Sequence, residues 1–269
     1  MMSERSTTEP TDVSTDPSTD RPARSTAVSV EGLAYAHGDV SVFADLSVGI
    51  AGGTVTCVVG PNGSGKSTLL ALVAGVLEPD AGTVTVAGSG DRTVGYLAQR
   101  PEFRPQFSVR RTLAFYCSLV EGRHDVDAVL DRVGLTPVAD RRVGALSGGM
   151  VRLLGIAQAV VGDPPVLVLD EPSSGLDPEM TRHVAAVVTD LAASGDAVLV
   201  ATHDLHLVDR FADRVLVLDR GKLCATGSPA DLRATAGADT LDGAIAALTR
   251  DGDDEGVAVS AGFDGGVSR

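Results

Sequence analysis

The sequence predicts an α/β protein with a mostly parallel central sheet. Short apolar runs that suit strands alternate with longer runs that suit helices. The run 166–170 is wholly apolar until its final acid and is bounded by prolines, as a buried parallel strand would be. A glycine-rich loop at 60–68 lies between a strand-like and a helix-like segment. Strand, loop and helix in that order are typical of folds that bind phosphate groups at a helix start.

The predicted elements before residue 100 are mainly strands, because their apolar residues alternate or run in short blocks. They are strands at 28–35, 42–50, 54–59, 83–87 and 93–98, with a helix at 66–77. Gly52 and Gly53 mark the turn between the second and third strands. The glycine-rich loop therefore follows a strand and opens a helix.

Beyond residue 100 the pattern is first helical and then alternating. A helical stretch from about 109 to 161 is interrupted near Gly122, residues 134–137 and Gly144. Further elements follow it: strands at 166–170, 197–201, 214–219 and 223–226, and helices at 179–193 and 205–212. This alternation predicts a sheet covered by helices on both faces.

We predict one domain over residues 27–250, with a helical subdomain at about 104–162. Residues 1–26 are rich in Ser, Thr, Asp and Pro, which predicts a disordered N-terminal tail and not a secretory signal. Residues 251–269 are rich in Gly and Asp and predict a flexible C-terminal tail.

The amino-acid composition indicates which classes of partner the protein can have. The net charge is −14, and no block of Lys or Arg occurs, so we expect no nucleic-acid partner. Lys66 and Lys222 are the only lysines. An acidic, lysine-poor surface indicates a halophile, although a GC-rich coding bias would also produce it. No run of about 18 apolar residues occurs, so membrane action would need a second polypeptide.

The loop at 60–68 fits the phosphate-binding pattern G-x-x-x-x-G-K-[ST]. Its glycines let successive backbone N–H groups face a phosphate, and the helix start adds partial positive charge. Lys66 would reach the β- and γ-phosphates, and the Ser67 hydroxyl would ligate Mg²⁺. The predicted nucleotide-binding residues are Gly60, Pro61, Asn62, Gly63, Ser64, Gly65, Lys66, Ser67 and Thr68.

Two carboxylates end the buried strand at 166–170. A buried acid pair is costly unless a metal or a polarised water compensates it. Asp170 would bind Mg²⁺ directly or through water. Glu171 would take a proton from the attacking water, or orient that water.

Further motifs occur in a fixed order along the chain. Gln99 follows the strand at 93–98, and Leu146-Ser147-Gly148-Gly149 opens a helix. Ser174-Gly175-Leu176-Asp177 follows the acid pair, and Thr202-His203-Asp204 follows the next strand. Over residues 28–232 this resembles the ATP-binding cassette (ABC) family. The resemblance implies a P-loop NTPase with a RecA-like core sheet, an antiparallel β subdomain and a helical subdomain.

The resemblance also implies a mechanism in which two copies, or two homologous cassettes, sandwich ATP head to tail. Ser147, Gly148 and Gly149 of one copy would close over the γ-phosphate held by the other. Gln99 would sense Mg²⁺ and the γ-phosphate, and His203 would hold that phosphate and the water. Asp177 would couple the two sites. The expected cofactor is Mg²⁺ with ATP.

The chain departs from the common pattern at several positions. His37 stands where the family stacks an aromatic residue on adenine. Met150 replaces the usual Gln of the signature, and Arg152 and Leu153 stand where Gln and Arg are commoner. Ser147 and Gly149 are kept, so hydrolysis should survive.

The motifs are similar to those of the type-two exporter branch, which implies ATP-driven export through a separate membrane permease. The chain would then sit peripherally at the cytoplasmic face of the membrane. Two alternatives stay open at this point. One is a soluble ABC ATPase outside transport, although such proteins usually carry two cassettes or a long insert. The other is a regulatory module without turnover, against which Glu171 and His203 argue.

Overall fold

A computed structural model describes residues 25–88 and 92–250 of the 269-residue chain. The predicted tail at 251–269, and all but the last two residues of the tail at 1–26, lie outside these ranges. Over the described part the strands are β1 Thr26–His37, β2 Val40–Ala51, β3 Val55–Val59, β4 Ala81–Val86, β5 Val94–Leu97, β6 Val166–Asp170, β7 Ala197–Ala201, β8 Arg214–Asp219 and β9 Lys222–Gly227. The α-helices are α1 Lys66–Val73, α2 Val109–Cys117, α3 Val126–Arg132, α4 Gly148–Val160, α5 Pro178–Ala193, α6 Leu205–Phe211, α7 Pro229–Ala236 and α8 Leu241–Arg250.

The larger sheet has the order β5-β6-β7-β3-β8-β9, and only the β8–β9 pair is antiparallel. Every residue of β3, β6 and β7 is buried, which explains their unbroken apolar sequences. The predicted mostly parallel core sheet is confirmed.

The smaller sheet is antiparallel throughout and has the order β2-β1-β4. Gly38, at φ 61°, and Asp39 form the tight turn that joins β1 to β2. Phe43 of β2 is buried in the core beneath this sheet. This sheet confirms the predicted antiparallel β subdomain.

The helical stretch resolves into α2, α3 and α4 with two short 3₁₀ turns, Thr136–Val138 and Val143–Ala145. Helix α1 ends at Val73, four residues before its predicted end, and Gly75 two residues later takes the left-handed conformation at φ 67°.

Helix α4 lies unusually close to β5. A Cβ at Gly155 would come within 2.5 Å of Leu97 Cδ1, and one at Gly95 within 2.0 Å of the Ala159 carbonyl oxygen. The later helical residue thus faces the earlier strand residue, so α4 runs antiparallel to β5. Its N-terminus therefore points toward the carboxyl ends of the parallel strands.

Candidate functional site

The loop between β3 and α1 has a conformation that requires glycine. Gly60, Gly63 and Gly65 have φ values of 146°, 81° and 103°, which L-residues rarely adopt. A Cβ at Gly60 would lie 1.9 Å from the Leu218 carbonyl oxygen, and one at Gly65 would lie 2.7 Å from the Phe43 ring. The phosphate loop is therefore held between β8 on one side and β2 on the other.

Lys66 folds back into this loop. Its Nζ donates hydrogen bonds of 2.9 Å to the carbonyl oxygens of both Gly60 and Pro61. Burial lowers the pKa of Lys66, while the nearby charges of Glu171 and Asp170 oppose that shift. The ammonium group is thus fixed at the loop's centre, beside two carboxylates.

Asp170, at the end of β6, meets the start of α1. The Ser67 hydroxyl donates to Asp170 Oδ1 over 3.2 Å. Burial raises the pKa of Asp170, and the Ser67 hydrogen bond works against that rise. A hydroxyl and a carboxylate in contact form a pair of hard oxygen donors, the kind that Mg²⁺ prefers.

Glu171 is held in a strained backbone conformation. Its φ is 50°, and its N–H donates to the Ala201 carbonyl oxygen over 2.9 Å. Its Oε1 lies 2.9 Å from His203 Nδ1, whereas Oε2 is buried with no partner among the described residues. His203 is 66% exposed at its side chain and Glu171 only 11%. His203 therefore holds one oxygen of this carboxylate, and the other has no hydrogen-bond partner within the described part of the chain.

The remaining predicted residues lie around this cluster. Gln99 is exposed two residues after the end of β5, and its carbonyl oxygen accepts a hydrogen bond from Arg152 Nη1. His37 is exposed at the end of β1. Ser147 caps α4 by accepting from the Met150 N–H over 3.3 Å. Asp177 caps α5 by accepting from two N–H groups.

Comparison with known proteins identifies this arrangement. Residues 43–174 match the ABC transporter family model. Nod factor export ATP-binding protein I from Rhizobium sp. (strain N33) is 35% identical over 216 residues, which are 76% of this chain and 71% of that protein. Daunorubicin resistance ATP-binding protein DrrA3 from Streptomyces coeruleorubidus is 34% identical over 230 residues, covering 81% and 73% respectively.

The chain belongs to the ABC transporter family. It is an ATP-binding subunit that hydrolyses ATP.

Solved structures agree with the fold of this ABC ATPase. The ATP-binding subunit of an ABC transporter superposes with a TM-score of 0.73 at 24% identity, covering 83% of this chain and 100% of that one. CbiO1 from Clostridium perfringens, part of the ABC transporter complex cbiONQ, has a TM-score of 0.69 at 27% identity and covers 78% and 91%. Within residues 25–88 and 92–250, no helix of the ABC ATPase is both long and apolar enough to cross a bilayer.

The structure brings some predicted residues together and keeps others apart. Lys66, Ser67, Asp170, Glu171 and His203 form one cluster through hydrogen bonds and close charges. No hydrogen bond within the described part of the chain joins residues 147–149 to the phosphate loop.

Sequence reasoning missed two contributors to the site. Phe43 packs against Gly65, and Arg152 reaches the Gln99 carbonyl. The position of Arg152, five residues after Ser147 on a helix start, was the available signal for the second.

Proposed function

We propose that this ABC ATPase drives export of a substrate through a separate membrane permease, as half of a head-to-tail nucleotide sandwich. The relatives named for Nod factor export and daunorubicin resistance support export. The subunit would lie peripherally at the cytoplasmic face of the membrane, where the permease presents its inner surface.

One observation supports the head-to-tail arrangement of two copies around ATP. The start of α4 is a capped helix N-terminus at which Ser147 and Gly148 are exposed and Gly149 is buried. Among the described residues, it makes no hydrogen bond to the chain's own phosphate loop. Such a helix start binds anions through its N–H groups. A second copy, rotated head to tail, would place residues 147–149 against the γ-phosphate held by Lys66. Asp177, at the start of α5, would lie between the two sites.

The donors at the loop suit Mg²⁺. Ser67 and Asp170 are already in contact, and the Gln99 side-chain oxygen would complete the protein ligands. When bound, Mg²⁺ neutralises charge on the β- and γ-phosphates. His37, on the hairpin whose next strand carries Phe43, would contact the adenine base.

Glu171 is the base in this proposal. Water attacks the γ-phosphorus and passes its proton to the unpartnered Oε2 of Glu171, while the bond to the β-phosphate oxygen breaks and ADP departs. His203 holds Oε1, and so fixes the orientation of the carboxylate.

Replacing Glu171 by Gln tests both hydrolysis and the sandwich. The amide cannot accept the proton, so ATP should persist and hold two copies together. We expect size-exclusion with light scattering to show a dimer in ATP and Mg²⁺, and phosphate release to fall by about 100-fold or more. Glu121→Gln, an exposed acid outside the site, should stay monomeric and active. A Glu171→Gln protein that remains monomeric would contradict the proposal.

A further inference from the structure

Arg152 connects the start of α4 with the Gln99 segment and with the two carboxylates at the end of β6. It lies in the second turn of α4, just behind residues 147–149, and its side chain is half-buried. Helical side chains lean toward the helix N-terminus. Because α4 runs antiparallel to β5, this direction leads Arg152 to the carboxyl ends of the strands, where it donates to the Gln99 carbonyl.

The same strand ends carry the carboxylates. Strands β5 and β6 are parallel neighbours, with Leu97 paired to Leu169. Continuing this register places Gln99 beside Glu171, one residue beyond Asp170, at the carboxyl-terminal edge of the sheet. Close packing of Gly155 on Leu97 and Pro101 fixes the distance between α4 and this edge.

Charge interactions agree with that placement. Burial lowers the pKa of Arg152, and the negative charges of Glu171 and Asp170 oppose the shift. Arg152 and Lys66 in turn help to lower the pKa of Asp170 against the effect of burial. The two buried carboxylates thus face two cations, one from the phosphate loop and one from α4.

We propose that Arg152 is a positioning residue that holds the Gln99 segment and the Asp170–Glu171 pair of its own site in register with α4. The guanidinium supplies two things at once: a hydrogen bond to the main chain of Gln99, and positive charge beside the carboxylates. This rests on the proposed function, in which residues 147–149 of the same helix engage the partner's nucleotide. If α4 moves when it engages the partner's nucleotide, Arg152 would transmit that movement to Glu171 in the same subunit.

A double-mutant cycle tests the charge coupling without catalysis. The variants are Arg152→Gln, Glu171→Gln and the double substitution, measured by thermal unfolding of the full chain without nucleotide. A single substitution also removes the burial cost of the guanidinium, and only the cycle isolates the attraction. We expect the change in Tm caused by Arg152→Gln to differ between the two Glu171 backgrounds by about 2 °C or more. Equal changes in both would overturn the charge coupling.

Kinetics tests the positioning role. We expect Arg152→Gln to lower kcat by about tenfold or more while KM for ATP and ATP affinity in Mg²⁺-free buffer stay within about twofold. Arg152→Lys keeps the positive charge and can still donate to the Gln99 carbonyl, so it should recover much of that loss. Arg123→Gln makes the same charge change at an exposed position and should match the unchanged protein. Equal losses of kcat and ATP affinity, or no recovery with Lys, would overturn the proposal. An unsubstituted protein without ATPase activity would instead refute the proposed function.

Discussion

At the scale of single residues, Gly60 and Gly63 of the phosphate loop have different surroundings, which the sequence pattern does not reveal. A Cβ at Gly60 would overlap the Leu218 carbonyl, whereas a Cβ at Gly63 would meet nothing within 4 Å. Both have positive φ. The loop pattern fixes glycine at position 60 and leaves position 63 open, so at Gly63 only the positive φ favours glycine.

We therefore expect Gly60→Ala to abolish ATP binding, and Gly63→Ala to cost only about 1–2 kcal/mol of stability through its left-handed backbone. Gly38→Ala, also at positive φ with free space around it, serves as the matched control. Calorimetric ATP titration and urea unfolding check this. Gly60→Ala that binds ATP normally would show that β8 does not confine the loop.

Lys66 and Lys222 are the two lysines of the chain, and they permit a controlled charge deletion. Lys66→Ala removes the ammonium group that lies in the phosphate loop and would donate to the β- and γ-phosphates. We expect ATP affinity to fall about 100-fold, because charge-assisted hydrogen bonds to the phosphates are worth about 3 kcal/mol. Lys222→Ala, at an exposed position, should leave affinity unchanged. Similar affinities for both variants would refute the role of Lys66.

The motif residues were predictable because each carries chemistry that a short pattern encodes. Phe43 and Arg152 were not, because their roles depend on which strand or helix packs beside the loop. His203 was expected at the γ-phosphate, and the structure adds its contact with Glu171 Oε1. Such pairings across the sheet have no local signature.

At the scale of elements, helix starts are fixed by side-chain caps. Ser228 forms a full capping box with Asp231 at the start of α7: the hydroxyl accepts from the Asp231 N–H over 3.2 Å, and the carboxylate accepts from the Ser228 N–H over 3.1 Å. Helix α7 packs against α8 and β9, so its start secures the end of the described chain.

We expect Ser228→Ala to lower the free energy of unfolding by about 1 kcal/mol at pH 7. Thr189→Ala, in an exposed helix interior, should cost nothing because Ala favours helix. The hydroxyl and N–H of Ser228 lower the pKa of Asp231. This contribution is complete above the ordinary Asp pKa of about 3.9 and is lost as pH falls through the lower folded value. The difference in free energy of unfolding between the unsubstituted protein and Ser228→Ala should therefore shrink as the pH falls. Urea unfolding from pH 7 to 3 checks this.

Strand positions were predicted best where the sequence punctuates them. Strand β6 has its predicted bounds because prolines and acids flank it. The end of α1 was missed because the apolar sequence continues to Leu77 while the backbone turns at Gly75. The order of strands in the larger sheet could not be predicted, because β3 pairs with strands more than a hundred residues away.

At the scale of the whole molecule, the net charge of −14 makes stability depend on salt. If the halophile prediction holds, we expect the Tm to rise strongly between 0.1 M and 2 M KCl, because added ions screen repulsion among surface carboxylates. The same measurement in sucrose at equal osmolality is the control, because sucrose is excluded from the protein surface but does not screen charge. Equal Tm values in dilute and molar KCl would refute the halophile prediction.

Strand β3, which leads into the phosphate loop, sits between β7 and β8. Ribosomes make β3 early, but both of its flanking strands only after the helical subdomain has emerged. The residues of the phosphate loop are therefore synthesised well before the two strands that flank β3 in the larger sheet. We therefore expect the ability to bind ATP to arise only after β7 and β8 have been made, late in synthesis.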